Sequence, residues 1–327
     1  MSLRRIAGGL VWLALMGSLP GSLWAQGRAL TPARFSFVFV GDLPADVADE
    51  KAALHLLETF DTGDARFILH SGNVKGRNEL CSDALYEQRK ALLATSRKAL
   101  VLVPGNSDWL DCDSAAAGGF DALERLTRLR ELFFDGDAAL GQERLAVTRQ
   151  SEMAKYRAYP ENVRWITGPV MFVGLNLPGR NNNFRIDAGR NAEFDDRAIA
   201  SRAWLERAFQ AAQRARLAGL VILVNADPQF ELRPRRVGRD GYQEFKSMLR
   251  ELCRGFGGEV LLLHGAGALA RQDQPLRDAG GKVIANFTRV APGPQPVAAS
   301  GMERSTLRIR VDARRPRLFQ VSRQPPG

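Results

Sequence analysis

Short runs dominated by apolar and β-branched residues recur along the chain, at positions 35–40, 67–70, 100–103, 170–175, 220–224 and 260–263. Their length and lack of polar alternation predict strands buried on both faces. Between them, apolar residues return at spacings of three and four, which predicts helices over 48–60, 80–96, 122–133, 191–216 and 241–256. Beyond Gly281 that spacing stops. Closing strands are expected over 282–287, 306–311 and 318–321, the last two alternating as an antiparallel pair would.

Strand followed by helix, repeated, predicts an α/β fold of sheets covered by helices, in which ligands gather in loops beyond the carboxyl ends of strands. Those loops read GDLPAD from Gly41, SGNVKG from Ser71, PGNSDW from Pro104, NADP from Asn225 and HGAGAL from His264. No linker or repeat of solenoid period divides the chain, so residues 26–327 are expected to form a single domain.

Residues 1–25 read as a secretory signal peptide: Arg4 and Arg5, an apolar run from Ile6 to Leu19, then a small residue for cleavage at Ala25. The run is interrupted by Gly8, Gly9 and Gly17 and falls short of the roughly 20 apolar residues of a spanning helix. A periplasmic or secreted protein with no stable membrane anchor after cleavage is expected. Cysteine usage suits that compartment, since Cys81 and Cys112 lie in polar, loop-like surroundings where a disulfide could close a long loop. Cys253 belongs to a helical apolar stripe and is expected to be a buried, inert thiol.

The chain is 45% hydrophobic, 25% charged and carries a formal charge of +10, but its arginines are spread out, clustering only at Arg233, Arg235, Arg236 and Arg239. Without interleaved aromatics this disfavours nucleic acid as a partner and leaves attraction of phosphate open. The sequence holds no Walker loop, no dinucleotide fingerprint and no Cys-x-x-Cys pair.

The succession of loops resembles the calcineurin-like phosphoesterases, whose motifs run Asp-x-His, Gly-Asp, Gly-Asn-His-Asp/Glu, a further His, and Gly-His-x-His. It is similar above all to a secreted bacterial branch in which the third motif continues as Trp-x-Asp-Cys, matched by Trp109, Asp111 and Cys112. The resemblance covers most of the chain after the signal peptide and implies a sandwich of central β-sheets flanked by helices (αββα) with two divalent metals. Two such ions about 3.5–4 Å apart clamp the phosphoryl group and activate water. Their mutual repulsion is on the order of 20 kcal/mol even at an effective dielectric of about 20, so an anionic ligand has to lie between them.

That bridging carboxylate is replaced by Asn73, and the other departures continue the pattern. The first-motif His is Pro44, the third-motif His is Ser107, the fourth His aligns with Ala226, and the final pair with Ala266 and Ala268. Asp42 and Asn106 remain as metal ligands carried over from the family, and Asp227 is a possible substitute. Asn73, Ser107 and Asp108 occupy the catalytic motif positions. The only histidines are His55, His70 and His264.

Each of these residues also has a structural reading. Asp42 can cap the following turn, Asn73 and Asn106 beside glycines are ordinary turn residues, and His70 and His264 can be strand-terminal histidines bonded to backbone. The polar loop Arg180, Asn181, Asn182, Asn183 and Arg185 overhangs the site or is a solvated surface loop. Lys75 and Arg77, which follow the second motif, are candidates for phosphate contact.

The resemblance therefore implies a periplasmic phosphoesterase-fold pseudoenzyme, catalytically impaired, whose pocket takes a phosphorylated small molecule or another anion. No cofactor is expected, or a single weakly held divalent metal ion. The alternative is an active metal-dependent phosphoester hydrolase with an altered or mononuclear site.

Overall fold

Alternation within the strands decides the architecture. In β1 (Arg34–Val40) the side chains of Phe35, Phe37 and Phe39 face one way and Val38 and Val40 the other, and both sets are buried. A strand with two buried faces needs a layer on each side. The computed structural model describes residues 33–185, 189, 191–231, 239–265, 270–293, 297–298, 301–302 and 306–323 and shows what those layers are.

One sheet has the order β14-β13-β1-β2-β3. In it β2 (Ala65–His70) and β3 (Ala99–Leu102) run parallel to β1, while β13 (Leu307–Asp312) and β14 (Phe319–Arg323) form the expected antiparallel pair. The second sheet has the order β4-β5-β6-β7-β8-β10-β9. Its parallel centre is β6 (Val170–Gly174), β7 (Gly219–Val224), β8 (Glu259–His264) and β10 (Phe287–Ala291). Antiparallel strands flank it: β4 (Thr148–Arg149) and β5 (Val163–Thr167) on one side, β9 (Arg271–Asp273) on the other. Two further short strands, β11 (Val297–Ala298) and β12 (Gly301–Met302), pair with each other.

The sheets pack face to face. Phe37, Phe67, Trp165 and Phe172 from both sheets share one cluster, with Trp165 stacked on Phe172 at 4.9 Å and Phe67 edge-on to it at 5.2 Å. On the outer face of the first sheet lie α1 (Glu50–Thr62), α2 (Asp83–Ala94) and α3 (Ala122–Phe133), whose Leu57, Leu93 and Leu129 meet Val38 and Ile68. On the outer face of the second lie α5 (Ala192–Arg214) and α6 (Gln243–Gly255), whose Trp204, Phe209 and Leu249 meet Ile222 and Leu262. The αββα sandwich expected from the sequence is the one observed.

The boundaries shift for local reasons. The expected helix 80–96 begins only at Asp83, because Cys81 is bonded to Cys112 and the Ser82 hydroxyl caps the helix by accepting from the Leu85 N–H. The expected strand 282–287 is corrected: the ladder strand is β10, starting at Phe287, and Ile284 instead donates to the Leu276 carbonyl in a turn. Asn286 pins that start by bonding the carbonyls of Cys253, Phe256 and Gly258. Cys253 is buried, and burial pushes its thiol pKa up, as expected of an inert thiol.

Among the described residues no helix is long and apolar enough to cross a membrane. Residues 1–25, expected to be a signal peptide cleaved at Ala25, the basic positions Arg233, Arg235 and Arg236, and the motif positions Ala266 and Ala268 lie outside the described residues.

Candidate functional site

The parallel strands of both sheets deliver their following loops to one edge, where the sheets meet. The Asn225 side-chain amide, after β7, donates to the Ser71 carbonyl, after β2, at 2.7 Å. The Asp42 N–H, after β1, donates to the Gly72 carbonyl at 3.1 Å. Contact is tight: Gly72 has a positive φ of 85°, and a Cβ there would lie 2.3 Å from the Gly105 nitrogen. Any L side chain at Gly72 is therefore both strained and obstructed.

Four of the residues singled out from the sequence form one hydrogen-bonded group. Asn73, itself left-handed at φ 60°, donates from Nδ2 to Asp42 Oδ1 at 2.7 Å. Its Oδ1 accepts from the Ser107 N–H at 3.1 Å and the Ser107 hydroxyl at 2.9 Å. Asp108 is buried, and its carboxylate accepts the backbone N–H groups of Asn73, Val74 and Gly105 at 2.8, 2.7 and 2.7 Å. Burial raises its pKa, and those three donors work against the rise. Asp108 thus ties the loop after β2 to the loop after β3.

Asn106 turns elsewhere, accepting the Gly179 N–H with Oδ1. Asp227 lies apart from this group: its Oδ1 accepts from the Gln229 N–H at 2.8 Å and faces the guanidinium of Arg289 at 3.4 Å and His264 Nε2 at 4.0 Å. Arg289, on β10, is fully buried and also pairs with Asp273 at 2.6 Å and with Glu231. Asp42 and Asp108 both accept from Asn73, while Asn106 accepts from Gly179 and Asp227 meets Gln229 and Arg289. Among the described residues no group of three or more His, Cys, Asp or Glu is placed to hold a metal ion.

His70 ends β2 fully buried, with Nε2 against the Leu43 carbonyl at 2.8 Å and Nδ1 accepting the Gly72 N–H at 3.0 Å. This is the backbone-bonded role. Burial lowers its pKa from 6.5 to about 4, with the Leu43 bond acting the other way. Between those values the unfolded chain binds a proton that the folded one refuses, so stability is full above pH 6.5 and falls as the pH drops towards 4. The loss is about 3 kcal/mol. Urea midpoints across this range should show the slope, and a His70→Gln variant should lack it. An equal slope in both proteins would refute this role for His70.

Lys75 does not reach outward. It is buried, and its ammonium donates to the Gly76 and Glu79 carbonyls at 2.9 Å each, which corrects its reading as a phosphate contact. Arg77 is exposed and stands 3.7 Å from Asp111.

The loop after β6 carries a feature that the run of asparagines only hinted at. Four successive residues, Arg180, Asn181, Asn182 and Asn183, are left-handed, with φ of 49°, 59°, 59° and 57°, across the one-turn segment α4 (Gly179–Asn182). Asn tolerates this region better than most residues, yet each such position costs about 1–2 kcal/mol. Outside contacts hold the turn. Buried Arg197 bonds the side chain and carbonyl of Asn182 at 2.6 and 2.9 Å, Asn181 accepts the Gly241 N–H, and Asn183 bonds Glu193. Arg180 pairs with Asp111 at 3.0 Å and Asp113 at 3.1 Å, and Arg185 stands 3.9 Å from Asp113. The loop therefore overhangs the site, with Gly179 on Asn106 and Arg180 on the segment following the third motif.

No family model matches the chain, and no curated protein does. Among solved structures it is similar to TT1561 of Thermus thermophilus, at 12% identity over 88% of this chain and 98% of that one, with a TM-score of 0.42. It is also similar to the phosphopantetheinyl hydrolase PptH of Mycobacterium tuberculosis, at 15% identity over 80% and 90%, TM-score 0.40. Vacuolar protein sorting 29 of Cryptosporidium parvum gives 14% identity over 89% and 97%, TM-score 0.31.

Proposed function

We propose that this chain is an exported protein that keeps a phosphoesterase-type sandwich for binding and has lost turnover, receiving a phosphate-bearing or other anionic ligand at the loop edge described above. The observation that carries this reading is the bond from Asn73 to Asp42. Where the calcineurin-like family needs a carboxylate between two metals, this chain has an uncharged amide whose N–H takes up an oxygen of the neighbouring ligand position. Asn106 and Asp227, the other ligand positions, are likewise engaged by Gly179 and Arg289.

On one flank of the loop edge the charges favour an anion. Arg77, Arg180 and Arg185 gather around Asp111 and Asp113, three cations against two anions. Such an excess raises the local concentration of anionic ligands. The Cys81–Cys112 bond suits the oxidising compartment to which the N-terminal sequence points.

The test is the metal content of the purified protein after exposure to Mn²⁺, Fe²⁺ and Zn²⁺, with hydrolysis of aryl phosphate mono- and diesters measured alongside. No retained metal and no hydrolysis are expected. Stoichiometric metal with metal-dependent hydrolysis abolished by Asp42→Ala would replace this reading by an altered, active site.

A further inference from the structure

A second recess lies away from these loops. It is a cleft of about 620 Å³ between the end of α3, the segment leading to β4 and the turns before β5, and Arg130, Phe134, Arg149, Ser151 and Arg157 are on its wall. That volume suits a small molecule.

Arg149 is its unusual member. The residue is buried, and its guanidinium donates to the carbonyls of Gly136, Pro160 and Ala138 at 2.6, 2.8 and 3.0 Å. A guanidinium carries five N–H groups, so donors remain beyond those bonds. Among the described residues, no carboxylate stands within ion-pair distance of it. A buried guanidinium is ordinarily paired, because an uncompensated charge in a poorly solvated place is costly. Burial indeed lowers the Arg149 pKa against the pull of more distant acids, Glu161 foremost.

The neighbouring charges do not fill the gap. Arg130 is occupied by buried Glu161 through two bonds, at 2.9 and 2.6 Å. Of the two acids on the wall, Glu131 is 3.3 Å from Arg128, and Asp135 is exposed to solvent. Arg157, on the rim, is exposed. The Ser151 hydroxyl adds a neutral donor, and the Phe134 ring, 5.7 Å from the Arg149 guanidinium, supplies an apolar wall.

We propose that this cleft binds a small molecule bearing a phosphate or carboxylate group, seated between Arg149 and Arg157, with its apolar part against Phe134. The proposal is independent of the binding function assigned to the loop edge, and the two are separable by variants.

Phenyl phosphate and benzoate would be titrated calorimetrically into the purified protein at constant ionic strength, with chloride as the control. Saturable binding of one or both is expected. Arg157→Ala should weaken it about tenfold, the scale of one charge-assisted hydrogen bond, while Arg180→Ala leaves it unchanged. Arg149→Lys, which keeps the charge and loses the fork geometry, should weaken it as well. Tighter binding of phenyl phosphate identifies a phosphate ligand and tighter benzoate a carboxylate. Binding that Arg180→Ala removes and Arg157→Ala leaves intact belongs to the loop edge and overturns the proposal, as does the absence of saturable binding by either probe.

Discussion

Arg289→Met is expected to cost about 3 kcal/mol at neutral pH, the lower end of what breaking a buried ion pair does. The guanidinium is fully buried and meets Asp227, Glu231 and Asp273, which are 23%, 48% and 39% exposed. Methionine matches the length of the stem and leaves the three carboxylates facing one another. Their partial exposure keeps the cost from being larger. Burial works to raise the Glu231 pKa, but the bond to Arg289 brings it below the usual carboxylate value. A depressed carboxylate stabilises the fold above its unfolded pKa and loses that contribution as the pH falls. The gap between wild type and variant should therefore be widest near neutrality and close in acid, when the acids of the variant take up protons. Calcium ions, which bind carboxylate oxygens, should recover part of the loss. Urea unfolding at neutral and acid pH, with and without Ca²⁺, checks all of this, and equal midpoints at neutral pH would show that Arg289 does not hold these acids together.

Asn73→Asp is the second large effect. The position already has a positive φ, which Asp adopts about as well as Asn, so the backbone should not change. The chemistry reverses: the N–H that approaches Asp42 to 2.7 Å becomes a second carboxylate oxygen, while Ser107 continues to donate to the other. Two carboxylates at that distance do not both stay ionised without a cation. The variant should lose about 1–3 kcal/mol in chelator-treated buffer, as expected for a donor replaced by a like charge. It should regain stability with Mn²⁺, which the wild type should not respond to. Thermal unfolding with and without Mn²⁺ is the measurement. A variant as stable as the wild type in chelator would mean that the Asp42–Asn73 bond contributes nothing to the fold.

The fold was legible where both faces of a strand are buried. Runs such as 67–69, 220–224 and 260–263 are apolar throughout, because a helix layer covers one face and the partner sheet the other. Strand β5 escaped notice because Arg164 and Ile166 leave one of its faces partly or fully exposed, so Val163-Arg164-Trp165-Ile166-Thr167 has no apolar run. A Gly168-Pro169 turn before an evident strand was the signal for that hairpin.

The candidate site was legible as a set of loops, and less so as a set of contacts. The motif positions brought Asp42, Asn73, Ser107 and Asp108 to one place, as their strand-end locations required. Nothing in spacing told that Asp108 would spend its oxygens on backbone N–H groups or that Lys75 would fold inward, since both depend on how loops from different strands meet. Arg289 carried no sequence signal, because the strand containing it was expected five residues too early, over 282–287 instead of Phe287–Ala291.

Strand β1, the first described element, lies between β2 and β13, and its antiparallel partners are residues 307–312. Until those residues arrive, one edge of β1 has no ladder. Closing a loop that spans almost the whole chain is slow, because its entropy has to be lost before the contacts form. A polypeptide emerging from the ribosome therefore cannot complete its first sheet until nearly all of it has been made, and that sheet stays open for as long. Any process that acts on an open chain has that interval in which to do so.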